Sequence, residues 1–181
     1  MSLLFLFGLG YIFFKFFRIV IKLKQPIVFP ITEEDLKSIR IQPKKTVSLP
    51  VLSQQKSGLF ITGYALLFIL LLLFFDLFEG SRLYAFYIIF IPLYFNFNQT
   101  WNLFAIVESG VLCGGRFVPW KKVHSYHFEP IDINNRFYGF SPKVNAGYEL
   151  WVTTKFSEVS CIVTSEEVKE KLTGILDERI S

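Results

Sequence analysis

Residues 59–75 read LFITGYALLFILLLLFF, a run without a single charged side chain. A helix needs about 20 apolar residues to span a bilayer, and this run with its flanks reaches that length. It therefore reads as a transmembrane helix. Asp76 and Glu79 close it, and Gly80-Ser81 supplies a turn. The next stretch, residues 83–95, reads LYAFYIIFIPLYF and continues to Trp101. A turn this short predicts an antiparallel transmembrane hairpin over residues 57–101. Pro92 would kink or break its second arm. Tyr84, Tyr87, Tyr94 and Trp101 suit interfacial belts.

Working outward, residues 2–14 (SLLFLFGLGYIFF) are apolar, and the apolar character runs on to Ile21 past Lys15 and Arg18. No basic segment precedes the run and no small-residue cleavage site follows it, so it does not read as a secretory signal. It reads as a retained N-terminal membrane helix over residues 1–22, spanning the bilayer or lying in its interface. Lys15 and Arg18 sit near its end, where long basic side chains reach back to headgroups. Residues 23–56 form a basic connector broken by Pro26, Pro30, Pro43 and Pro50. Within it, Thr32 followed by Glu33, Glu34 and Asp35 predicts an N-cap and a short helix over about 33–40.

The composition agrees with an apolar protein. The 181 residues are 52% hydrophobic, 19% charged and 18% aromatic, with 22 Phe. The mean hydropathy is +0.43. Soluble domains carry nearer a quarter charged residues. A disordered chain, a coiled coil and a disulfide scaffold are excluded. The net charge of +4 falls wholly within residues 22–57, where seven basic side chains meet three acidic ones. Beside apolar segments, that excess reads as membrane topology rather than a nucleic-acid footprint. It places the connector and residues 102–181 in the cytoplasm, on the inner side of an integral plasma (inner) membrane protein.

From residue 102 the texture changes to short apolar runs, the last two of them, Tyr148–Thr153 and Glu158–Val163, cleanly alternating. Leu103–Val107, Val111–Cys113, Arg116–Val118, Val123–Phe128, Tyr148–Thr153 and Glu158–Val163 read as strands, separated by turn residues. Pro119 splits one run near a bend. Residues 130–147 read as a long loop. A final helix over 165–178 carries Val168, Leu172, Ile175 and Leu176 on one face. The fold class expected is thus membrane α + β. Two or three transmembrane helices precede a small antiparallel β domain, closed by a C-terminal amphipathic helix.

The segment Gly110-Val111, then Val118-Pro119-Trp120-Lys121-Lys122-Val123, carries a resemblance. It is similar to the short bacterial PH-like domains that follow transmembrane hairpins in several membrane-protein families of unknown function. The resemblance covers about 75 residues and the hairpin before them. It implies a barrel-like β module over 102–181 whose open end the last helix plugs. It says little about the ligand, because the PH superfold hosts lipid, peptide and protein binding. The closely spaced Lys and Arg of inositol-lipid binders do not occur in these strands.

Candidate binding residues are Arg116, Trp120, Lys121 and Lys122, a basic and aromatic patch suited to lipid phosphates or a protein partner. The competing reading makes Trp120 a core residue beside solvated lysines. His124 and His127 lie three apart on a strand and diverge, so no metal site is expected. Cys113 and Cys161 read as small buried hydrophobes, and no CxxC is present. No phosphate-binding glycine loop, zinc-protease or serine-hydrolase motif occurs, and no cofactor is expected. The expected function is non-enzymatic: a membrane-anchored interaction module that binds a protein partner or the membrane surface. Two alternatives stand beside it. One is an oligomeric transport or channel-like component using Lys15, Arg18, Asn96, Asn98 and Gln99. The other is a small membrane enzyme acting on a lipid through Asp76, Glu79, His124 or His127. The partners expected are a lipid bilayer and a protein or second copy of the chain, but not nucleic acid.

Overall fold

A computed structural model describes residues 3–51, 53–79 and 101–180 of the chain. The second arm of the predicted hairpin, with Pro92, Tyr84, Tyr87, Tyr94, Asn96, Asn98 and Gln99, lies outside the described residues, as do the side chains of Asp76 and Glu79.

The β elements come first, because they set the frame. β4 (Phe104–Val107), β5 (Gly110–Cys113) and β6 (Arg116–Pro119) form one antiparallel meander. β7 (Val123–Pro130), β8 (Tyr148–Thr154) and β9 (Ser157–Val163) form a second. Between them Pro119 ends β6, and Trp120–Lys122 makes one turn of 3-10 helix that swings the chain from one sheet to the other. These strands stand where the apolar runs and turn residues of the sequence put them.

Three further strands come from the basic connector. β1 (Ile27–Phe29) pairs antiparallel with β4, matching Phe29 to Ile106. β2 (Ile39–Gln42) pairs with β9, matching Ile39 to Val163, and β3 (Lys45–Thr46) extends the same edge. The first sheet is ordered β1-β4-β5-β6 and the second β3-β2-β9-β8-β7. The connector is therefore woven into both sheets. Between β1 and β2 runs the predicted short helix, α2 (Glu33–Ser38). Thr32 accepts from the Asp35 N–H, and the Asp35 carboxylate accepts back from the Thr32 N–H at 2.9 Å. This reciprocal capping satisfies donors that a helix start leaves open.

The facing sides of the two sheets share one core. Phe29, Ile39, Phe104, Ile106, Val111, Leu150, Cys161 and Val163 meet there. α5 (Glu166–Ile180) buries Val168, Leu172 and Leu176 into the same cluster, as the stripe in the sequence predicts. The 130–147 segment covers the outer side of the second sheet. It carries the single turn α4 (Pro142–Asn145), and packs Ile131 and Val144 on Ile162.

The two long apolar segments are helices, α1 (Leu3–Lys22) and α3 (Lys56–Glu79). They do not have the role expected of them. No helix among the described residues is long and apolar enough to cross a membrane. The membrane α + β class with two or three transmembrane helices is corrected accordingly. The described fold is α+β, with two antiparallel sheets and five α-helices. The assignment to an integral plasma (inner) membrane falls with it, as do the transmembrane and inner-membrane labels and the cytoplasmic placement derived from them. The physical reason lies in the first sheet. Its outer face is apolar too, and it must be covered. Ile12 and Ile19 of α1, Leu23 just past its end, and Leu66 and Ile69 of α3 bury against Leu103, Ala105, Val107 and Leu112. Trp101 is fully buried in this layer. Part of the apolar character that reads as lipid-facing is spent on this sheet.

Candidate functional site

A stripe on α1 that flanks the buried Ile12 and Ile19, on the side turned toward β6, carries Tyr11, Lys15, Arg18 and Lys22 at helical spacing. α1 runs beside β6, and Phe117 of β6 is the contact point. The Arg18 guanidinium lies 4.8 Å from the centre of the Phe117 ring, and the Lys22 ammonium also lies 4.8 Å from it. Such cation–π contacts fix the long side chains without neutralising them. Lys22 also donates to the Ser109 hydroxyl at 3.0 Å, and that hydroxyl donates to Gln25. The β4–β5 turn is thereby tied to the end of α1.

Between α1, β6 and the β8–β9 turn lies a cleft of about 250 Å³. Lys15, Arg18, Arg116 and Lys122 line it. Tyr11, Phe117, Pro119 and Phe156 form its apolar walls. None of the described residues lining it is acidic. Arg116 is steadied by donating to the Glu158 carbonyl across to β9 at 3.0 Å. Lys15 reaches over the Tyr11 ring at 4.7 Å. Phe156, at the tip of the β8–β9 turn, is 90% exposed beside Lys155.

The four residues singled out in the sequence separate here. Arg116 and Lys122 line the cleft. Lys121 is exposed outside it. Trp120 turns toward the main core, and its indole N–H donates to the Glu108 carbonyl at 3.0 Å. It anchors the corner between the sheets. The sequence reading missed Lys15 and Arg18 as cleft residues. Their spacing with Tyr11 and Lys22 is the signal that marks them as one face of a helix.

Other chemistry-bearing groups serve the fold. Burial pushes the Cys113 thiol up to about 12, against a smaller pull from Arg116. Burial, with Cys113 and Glu149 nearby, raises Cys161 well above its ordinary value. Neither thiol forms the thiolate a nucleophile requires at neutral pH. His127 stacks on Trp151 across the β7–β8 pair. Among the described residues no group of three or more His, Cys, Asp or Glu could hold a metal ion. Glu149 is buried, yet Arg136 donates to it at 2.6 Å and Asn135 at 2.9 Å. That pair pins the 130–147 segment onto the second sheet. Comparison with protein families, with characterised proteins and with solved structures finds no match to this chain.

Proposed function

We propose that the protein is a non-enzymatic, PH-like interaction module that docks on a lipid bilayer. The observation that carries this reading is the apolar outer surface of the two long helices. Phe60, Ile61, Tyr64, Leu67, Phe68, Leu71 and Phe74 stand exposed along α3. Phe14, Phe17 and Ile21 do so along α1. A contiguous apolar surface of this extent marks an interaction site. Basic side chains beside exposed aromatic ones suit the boundary between headgroups and acyl chains. The two facing sheets with α5 packed into their shared core support the likeness to a PH-like module. The buried thiols support a binding role over a nucleophilic one.

Flotation of the purified full-length chain with phosphatidylcholine vesicles tests the proposal. The chain is expected in the vesicle fraction. The double substitution Phe14→Ser with Phe17→Ser should lower its partitioning by at least about 150-fold, since each buried Phe contributes about 1.5–3 kcal/mol. Both positions are more than half exposed, so the fold should survive. A chain that stays in the vesicle-free fraction would overturn the reading.

A further inference from the structure

We infer that the cleft between α1, β6 and the β8–β9 turn receives the phosphate of an anionic lipid headgroup. This rests on the bilayer-docking reading and adds to it a site and a ligand class. Two stretches about a hundred residues apart, α1 and the β6 strand with the 3-10 turn after it, bring Lys15, Arg18, Arg116 and Lys122 to one concavity, with no acidic residue among its described lining. An anion seated between these basic groups is attracted by each of them. Guanidinium groups match phosphate oxygens in pairs, while lysine ammonium groups add point charge. A cleft of about 250 Å³ falls below the range of roughly 300–1,000 Å³ typical of drug-sized ligands, and suits a single phosphorylated headgroup.

Its surroundings favour a lipid over a free anion. Exposed Tyr11 and Phe156 stand at its walls, and exposed Phe14 and Phe17 lie on the same helix. The headgroup would enter where those side chains meet the acyl boundary. The carbonyl of Glu158 already holds Arg116 in position, so the guanidinium needs little ordering when the ligand binds.

The test compares the full-length chain on vesicles of phosphatidylcholine alone and of phosphatidylcholine mixed with phosphatidic acid. Wild-type chain should prefer the anionic vesicles, and added salt should weaken that preference. Arg116→Gln combined with Lys122→Gln should reduce the preference by about 25-fold, at roughly fivefold per basic group near the surface. Arg116→Lys combined with Lys122→Arg should retain most of it. An unchanged melting temperature in each variant reports an intact fold. Equal binding of wild-type chain to both vesicle types overturns this inference and leaves bilayer docking standing. Binding to neither overturns the docking reading itself. An unchanged preference in the glutamine variant moves the headgroup out of this cleft. Soluble glycerol phosphate that competes as well as anionic vesicles makes the ligand a free phosphate ester, and overturns the lipid source.

Discussion

A Cβ on Gly110 would stand 2.2 Å from the Val118 carbonyl oxygen and 2.7 Å from the Pro119 Cα. Both are backbone atoms of the neighbouring strand, so neither can swing aside. Gly110→Ala should therefore cost about 2–3 kcal/mol and shift the urea midpoint down accordingly. A midpoint within error of wild type would show that β5 and β6 separate at little cost. The sequence marks Gly110 as part of a turn, but the close approach belongs to a pairing that only the folded sheet contains. Arg116 and Lys122 illustrate the same limit from the other side. Their charge is plain in the sequence. Their company with Lys15 and Arg18, about a hundred residues earlier, is not, because no local pattern records which helix lies against which strand.

Elements whose signal is periodic and local were legible. The stripe of Val168, Leu172 and Leu176 predicts α5, and those side chains are the buried ones. Leu172 is fully buried, so Leu172→Asp would place an unpaired charge in the core. The variant should lose its near-ultraviolet circular dichroism and its cooperative melting. A cooperatively melting variant would dislodge α5 from its place. α2 offers a pH-dependent counterpart. Burial alone would raise the Asp35 carboxyl. The N–H groups of Thr32 and Ile31, the Thr32 side chain and Lys171 outweigh it, and hold Asp35 below its ordinary 3.8. A carboxyl depressed in the folded state stabilises it above the unfolded value, and that contribution is lost as pH falls through the folded value. The advantage of wild type over Asp35→Asn should hold above pH 3.8 and shrink below it. A constant gap in urea titrations across that range would deny the carboxylate its capping role. β1, β2 and β3 were less legible. Strands of two to four residues are too short for alternation to stand out among prolines and lysines.

At the scale of the whole molecule, the described residues are layered: α1 and α3, the first sheet, the second sheet with α5, and the 130–147 segment outside. Phe29, Ile39 and Val47 of the connector are buried in the same core as the C-terminal strands. A fragment of residues 102–181 should therefore lack strands on both sheets and expose their edges. It should show poor amide dispersion by NMR and aggregate, whereas the full chain should not. A well-dispersed, monomeric fragment would mean that the connector strands decorate a self-sufficient unit. The composition of the long apolar helices was read correctly as apolar and wrongly as membrane-crossing. Hydropathy counts apolar residues without saying which neighbours they meet, and here the outer face of the first sheet claims one side of each helix.

The pairing of β2 with β9 also sets a schedule for biosynthesis. Ile39 leaves the ribosome about 120 residues before its partner Val163. At about 5–20 residues per second, the connector waits roughly 6–24 s with its strand edges open. During that interval the apolar α1 and α3 have also emerged, while the sheet that covers their inner faces is still incomplete. A nascent chain in this state carries unpaired strand edges and uncovered apolar helix faces at the same time.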